Sequence, residues 1–471
     1  MSSTPISSAK NTQKQPKSWM HHYISTITLS IPLIIGQIAM IGVWTSDIVM
    51  MGGISADALA AGTQANRLYQ PLYFIALGLT IAVSPLTSQA LGAGNRRQAR
   101  RIMRQGIWLA ALYGLITMVP MLNGETLLLL LGQDPDISRD ADMFLKMLAL
   151  GMVPTYIYFV LRHYISAYKK PVPPVIITSL GVGLNVFLNN IFIHGWYGLP
   201  KLGFAGIGLA TSITFAVMSI ALAVYINTQK PFRFTRPFAR FFRIDLSIMK
   251  RLLVVGFPIG ITLFAETGMF IAAGLYIGIF GKIAVAASGI AQQIAAIAFM
   301  VPLAISQAST IRVGHEAGAS NPQGAIRAGI AATMTTITLT VVMTVVLLIF
   351  AEVFIASFLN KSDELFGQVL AIAMPMVFVV AVFQVSDGLQ SVFTSVLRGI
   401  NDTKWPAIIS VFSYWCIGVF SGIMLAGYFG WGPIGVWWGL LFGLTAGSAL
   451  LFLRCLAITR KIQASGKIVL T

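Results

Sequence analysis

Charge is scarce in this chain. Only 10% of its 471 residues are Asp, Glu, Lys or Arg, against 56% that are hydrophobic, whereas soluble domains carry about 25% charge. Too little polar surface remains to keep a folded chain of this length in water, which excludes a large soluble helical protein. Acids are the scarcer sign, 15 against 32 Lys and Arg, for a net charge of +17. Such a balance usually points to nucleic acid. Here the basic residues lie in short loops between apolar runs, where they act as topology signals, so no nucleic-acid partner is expected. Cysteine is almost absent: Cys416 and Cys455 both fall in apolar segments, which leaves no disulfide framework and no zinc-ligand spacing. Nucleotide-binding loops and nucleophile elbows are missing too. No ATPase engine, no catalytic residue and no cofactor are expected, and an ion gradient is the default energy source. Residues 1–23 lack an apolar stretch, so no cleavable signal peptide is read there. They are expected to form a disordered cytoplasmic tail, with the first helix as an uncleaved insertion signal.

What the chain does have is apolar runs of 20 residues or more, which suit a hydrocarbon core about 30 Å thick. They predict an all-α integral membrane protein with twelve transmembrane helices, at 24–51, 59–91, 103–122, 143–163, 174–194, 205–226, 252–280, 283–316, 323–351, 366–398, 406–429 and 434–459. Pro32, Pro71, Pro85, Pro258, Pro302 and Pro375 lie inside them as candidate kinks, which membrane helices tolerate. With both termini placed in the cytoplasm, inner segments hold 26 of the 32 Lys and Arg, including Arg96, Arg97, Arg100, Arg101 and Arg104. The outer loops hold nine of the fifteen acids, among them Asp57, Glu125, Asp134, Glu352, Asp363 and Glu364, but only Arg139, Lys201, Lys282 and Lys361 as bases. That asymmetry is the one the positive-inside rule predicts, and a wrong helix parity would scramble it.

The chain also repeats. A shift of 226 residues brings Pro32 onto Pro258, Gly42 onto Gly268, and GAGNRRQARR (92–101) onto GASNPQGAIR (318–327). Each copy holds six helices, an even number, so the copies run parallel about a pseudo-two-fold axis along the membrane normal. The expected organisation is a six-helix lobe at 24–226, a basic linker at 227–251, a second six-helix lobe at 252–460 and a cytoplasmic tail at 461–471. A cleft between two lobes suits alternating access.

An ionised acid at membrane depth costs roughly 2.5–3.5 kcal/mol on insertion scales, and it normally faces a polar cavity. Three acids fall inside the apolar segments: Asp47 in WTSDIVMMG, Glu266 in LFAETGMF and Asp387 in FQVSDGLQSVF. No intramembrane Lys or Arg is an obvious partner. Carboxylates facing a cavity can take H⁺ or Na⁺ and attract an organic cation, and competition between ion and guest is a sufficient mechanism for antiport. Asn185 and Asn189, one turn apart, and Thr211 on the next segment supply neutral oxygens for a cation site; as glue between helices they would look alike in sequence. Na⁺ would sit with Asp47, Asn189 and Thr211, or with Glu266 and Asp387. Gln292 and Gln293 are candidate cavity residues, and the abundant Met and Phe (20 and 29) suit an adaptable apolar pocket, to which Met300 and Phe383 are assigned. Arg312, His315 and Glu316, and likewise Arg398 and Asp402, read as gate or loop anchors at the cytoplasmic end.

Taken with the repeat, the segments DIVMMG (47–52), LGQDP (131–135), IRVGHEAG (311–318) and LRGINDTKWP (397–406) resemble the multidrug and toxic compound extrusion (MATE) family, in its NorM-like branch, over residues 24–460. The resemblance implies a V-shaped two-lobe antiporter that exports organic cations in exchange for Na⁺ or H⁺. It matches Asp47, Glu266, Asp387 and Asn189 to functional positions of the family. NorM-like proteins often have Tyr one turn before the last of these acids, where this chain has Phe383, and the missing phenol oxygen leaves the coupling ion open. The expected setting is a bacterial inner membrane, with the protein a monomer. A lipid-linked precursor flippase on a related plan is the alternative; it would favour a cationic cavity for diphosphate. A membrane-embedded enzyme would need clustered His and Asp, and the five histidines lie mostly near helix ends.

Overall fold

Among the described residues, eleven long apolar helices and one bent pair organise the fold. The computed structural model describes residues 18–359 and 365–468. The spans are α1 (Trp19–Ile54), α2 (Ala56–Gly92), α3 (Arg96–Leu122), α4 with two arms (Pro135–Ala149 and Met152–Ala167), α5 (Val172–His194), α6 (Phe204–Thr228), α7 (Leu246–Phe280), α8 (Lys282–Gly318), α9 (Pro322–Ile349), α10 (Phe366–Gly399), α11 (Lys404–Tyr428) and α12 (Pro433–Ser465). Eleven of these are long and apolar enough to cross a bilayer singly, and the two arms of α4 together make a twelfth. Large apolar side chains stand on the outer faces, Leu180 70% exposed and Val254 62% exposed. An apolar surface of that extent belongs against lipid.

Several boundaries differ from those read off the sequence. α1 begins at Trp19, so part of the expected N-terminal tail is helix, and α7 begins at Leu246, inside the expected linker. α12 runs on to Ser465, so the expected C-terminal tail is helical in part. The rest of both tails and the outer-loop residues Lys361, Asp363 and Glu364 lie outside the described residues. The fourth span, expected at 143–163, is longer and is bent by 50°. Pro154 has no N–H for the carbonyl four residues back, and Gly151 lies so close to α6 that a Cβ there would meet Ser212 Cα at 2.6 Å. The Ser212 hydroxyl donates to the Met147 and Leu148 carbonyls at 2.7 and 3.2 Å, satisfying groups that the break frees.

The repeat is visible in backbone detail. Asn95 caps α3 by accepting from the Gln98 N–H at 2.9 Å, and Asn321 caps α9 by accepting from Gly324 at 3.0 Å. The residues before them, Gly94 and Ser320, are both left-handed, with φ of 71° and 51°. The basic segment between the lobes is strapped to α3. There Arg100 donates to the Thr235 carbonyl at 2.6 Å, Gln105 to Arg243 at 2.9 Å and Trp108 to Phe241 at 3.0 Å.

The lobes meet at the end of the bundle that carries these basic segments. Leu29 and Leu33 of α1 pack on Ala304, Ala308 and Ile311 of α8. Gln89 and Asn401 exchange side-chain amide hydrogen bonds at 3.0 Å across the lobes, and Gln89 also donates to the Gly399 carbonyl at 2.8 Å. His315 of α8 lies 2.7 Å from the Ala167 carbonyl at the end of α4. α2 and α7 cross backbone to backbone, because a Cβ on Gly78 would lie 2.1 Å from the Gly260 nitrogen. Small residues at such crossings let membrane helices approach closely. Gly78→Ala should therefore cost about 1–3 kcal/mol by overpacking, read as a lower unfolding temperature in detergent. Gly183→Ala on α5, where a Cβ meets nothing within 4 Å, should leave that temperature unchanged. Equal melting of the two variants would mean that the crossing is loose.

Candidate functional site

The first lobe encloses a carboxylate, Asp47, that makes no ion pair among the described residues. Asp47 on α1 is 4% exposed and is met by two neutral donors from neighbouring helices. The Asn189 amide of α5 donates to Oδ1 at 2.8 Å, and the Thr211 hydroxyl of α6 donates to Oδ2 at 2.6 Å. Asn185, one turn before Asn189, donates to Thr211 Oγ1 at 3.1 Å and accepts from Ser46 at 2.5 Å. Asn189 Oδ1 is buried with no hydrogen-bond partner. An acceptor left over beside a carboxylate suits a hard cation, which takes oxygen ligands.

Between the lobes lies a cavity of about 420 Å³. Its walls come from both lobes: Phe74, Leu77 and Ser84 of α2 and His163 of α4 on one side, with α7, α8, α10 and Tyr414 of α11 on the other. Glu266 and Asp387 both line it. Among the described residues neither carboxylate is in an ion pair, so the cavity is left to solvate them. Thr262, Phe299, Met300 and Leu303 surround them with mostly apolar surface. Such a space is in the size range of small-molecule sites, about 300–1,000 Å³, with a few polar groups in an apolar wall.

Comparison with known proteins decides the family. The MatE family model matches the chain twice, over residues 32–191 and 258–424. The chain belongs to the MatE family. The two matches begin 226 residues apart, from 32 to 258, the step at which the sequence repeats. The chain is 37% identical over 441 residues to the probable multidrug resistance protein NorM of Mesorhizobium japonicum, covering 93% of this chain and 94% of that one. It is 38% identical over 448 residues to the protein of that name from Rhodopseudomonas palustris, covering 95% and 94%. A multidrug resistance MATE family transporter solved in an outward-facing conformation shares the fold at a TM-score of 0.84, with 19% identity over 94% of this chain and 97% of that one. A MOP superfamily transporter from Pyrococcus furiosus also has a TM-score of 0.84 at 19% identity, over 96% and 100%.

In this MatE chain Asp47, Asn185, Asn189 and Thr211 do come together, but inside the first lobe rather than on the cleft wall. Glu266, Asp387 and Met300 face the central cavity. Phe383 does not: it is 1% exposed and stacks on Trp437 with ring centroids 6.0 Å apart, because it points into the core of the second lobe. Gln292 and Gln293 are exposed one turn before the cavity residue Ala296 on α8, and they are not among the residues that line the cavity.

Other residues escaped the sequence reading. Ser46 is adjacent to Asp47 in the chain and tightens its network. Arg398, read as a gate or loop anchor, lines the cavity, and its Nε has no hydrogen-bond partner. His163 lines the cavity too, with Nε2 unpartnered. The expectation of no basic residue near the acids is therefore corrected. Arg162 is also buried and bonds Gln37, and Arg312 bonds His22 and Thr26 of α1. The signal for Arg398 was available. Asp387, Gln390, Ser391, Thr394, Ser395 and Arg398 recur at the spacing of one helix face, and all six line the cavity.

The Asp47 network supplies a direct test. Thr211→Val removes the hydroxyl that donates to Oδ2 and should cost about 1–3 kcal/mol, whereas Thr211→Ser should be nearly neutral. In a cycle with Asp47→Asn the two losses should be non-additive by about 0.5–3 kcal/mol, measured by thermal unfolding in detergent. Simple additivity would mean that Thr211 and Asp47 do not interact.

Proposed function

We propose that this protein is a multidrug efflux antiporter that exports amphipathic organic cations in exchange for Na⁺ or H⁺, by alternating access between its two lobes. The observation that carries this reading is the pair Glu266 and Asp387, facing a 420 Å³ cavity without a basic partner at ion-pair distance. A buried carboxylate needs compensation by a cation, by a proton or by water. A guest with an apolar body and a positive charge satisfies the apolar wall and the acids together. A small cation satisfies the acids alone. The two compete for the same oxygens, so entry of one drives out the other. The multidrug resistance names of the relatives accord with this chemistry.

The second coupling position is Asp47 with Asn189, Asn185 and Thr211. Its buried, unpartnered Asn189 Oδ1 favours a cation held within the first lobe, away from the guest. The helices that frame it, α1, α5 and α6, would then respond to ion occupancy by repacking. No catalytic group and no resident cofactor enter this scheme; the ion is cargo. The basic end would face the cytoplasm of a bacterial inner membrane, with both termini on that side, and the lobes of one monomer suffice for the cycle.

The flippase alternative calls for a cationic cavity. Arg398 is a step in that direction, but Arg162 and Arg312 are engaged with α1, and two acids share the cavity with one guanidinium. That charge balance suits an organic cation better than a diphosphate.

The test is dye efflux from proteoliposomes with Na⁺ and pH gradients imposed separately. One of the two gradients should drive transport. Asp47→Asn, Glu266→Gln and Asp387→Asn should each slow it about tenfold, equivalent to ~1.4 kcal/mol, while the variants still insert and purify. Full transport by all three variants, or no transport under either gradient, would sink the antiport reading.

A further inference from the structure

Below the acid pair the cavity does not end in apolar packing. On α10 the face from Asp387 to Arg398 is polar throughout, and its residues line the cavity as far as the seal between the lobes. α8 answers it with Ser306, whose hydroxyl is 2.8 Å from that of Ser391, and with Thr310, which donates to the Ser395 carbonyl at 3.0 Å. Eleven residues of helix span about 16 Å. A lane of hydroxyls and amides over that distance can hold water, which needs two to four polar partners. Such a lane passes cations or protons unless something opposes them.

The amides of the seal offer no such opposition: Gln89, Asn401 and the Gly399 carbonyl are neutral, buried and bonded to one another. Arg312 of α8 is engaged with His22 and Thr26 of α1. The opposing charge is Arg398. It lies at the last turn of α10, where the helix terminus favours a cation. The nearest acid in sequence, Asp402, is held by Arg454 at 2.9 Å, and Arg398 is in no ion pair among the described residues. Glu266 shares the cavity and attracts the guanidinium, but the two make no ion pair among the described residues, so the charge of Arg398 faces the lane and the acids above it. A fixed guanidinium in a narrow polar passage is a general means of excluding cations and protons while leaving the passage wet.

From this geometry we infer that Arg398 is the charge barrier at the closed end of the cavity, preventing the coupling cation from leaking past Glu266 and Asp387 without exchange. The inference rests on the antiport reading and adds to it the residue that makes exchange obligatory.

The experiment uses full-length protein in proteoliposomes with no drug present. Radioactive Na⁺ uptake and internal pH are followed after a Na⁺ or pH gradient is imposed. Wild type and Arg398→Lys should be tight, and Arg398→Gln should leak about tenfold faster. Moving the charge one turn along the same face, as Ser395→Arg combined with Arg398→Gln, should restore tightness, which a merely structural role would not. Monodispersity and melting temperature establish that each variant is folded. If Arg398→Gln does not fold, Thr394→Glu takes its place, since a carboxylate four residues before Arg398 pairs with it and should open the same leak. The inference is overturned by a folded Arg398→Gln, or failing that Thr394→Glu, as tight as wild type. It is equally overturned by Arg398→Lys leaking as fast as Arg398→Gln. Failure of the antiport reading is seen separately, as wild-type protein that moves no dye under either gradient.

Discussion

A carboxylate held at membrane depth must be given donors, a cation or water, because hydrocarbon replaces none of the hydration it has lost. The two lobes meet this requirement in different ways. Asp47 is given neutral donors from two neighbouring helices and is closed off from the cleft. Glu266 and Asp387 are left to the cavity. The first arrangement is stable without a bound ion yet retains a spare acceptor in Asn189 Oδ1. The second is costly when empty and is relieved by whatever positive species enters. On the antiport reading proposed above, exchange follows from that difference, since one site can hold an ion while the other trades an ion for a guest.

The closed end of the bundle depends on backbone approach more than on side-chain bulk. Gly78 against Gly260, Gly92 against the His315 carbonyl and Gly318 against Gln89 leave no room for a Cβ. Contacts of this kind are short-ranged and have few intermediate arrangements, which favours lobes that are either docked or apart. The polar groups at the same end include the Gln89–Asn401 amide pair, His315 against the Ala167 carbonyl and Arg312 bonded to His22 and Thr26. Their hydrogen bonds can be returned to water when the lobes separate, at a modest net cost per bond of about 0.5–1.5 kcal/mol. A seal made of glycine contacts and amide pairs is thus tight when closed without being prohibitive to open.

Much of this was legible in the sequence, because long-range packing has little influence on it. Helix count, parity and the repeat follow from apolar length and charge placement, and the Asn95 and Asn321 caps lie in the segment where the repeat is clearest. The Asp47, Asn189 and Thr211 grouping was also legible, since few polar residues occur in those helices and each needs a partner. What could not be read was the direction in which a side chain points. Phe383 lies one turn before Asp387, as a cavity residue would, yet it faces Trp437 in the core. Gln292 and Gln293 occupy a plausible stretch of α8 but fall one turn short of the cavity lining. The bend in α4 depended on contact between Gly151 and Ser212, which no local pattern encodes. Arg398 was read as a gate or loop anchor, and only the cavity shows that its face is continuous with Asp387.

The repeat sharpens the division between scaffold and chemistry. Within the segment that aligns without a gap at a step of 226, Asp47 corresponds to Ala273, and Glu266 corresponds to Met40. Both counterparts are buried and apolar, Ala273 at 5% and Met40 at 8% exposure. The two copies therefore share features that shape the backbone, such as Pro32 and Pro258, Gly42 and Gly268, and the Asn95 and Asn321 caps, while the charged positions differ. A symmetric pair of acid sites would give two equivalent ion positions facing one cleft, each competing with the guest. Asymmetry lets one lobe enclose an acid and the other expose a pair, so that ion and guest can occupy the protein in different combinations. On the proposed antiport reading, in which neither species should move alone, that separation is worth more than symmetry between the two copies.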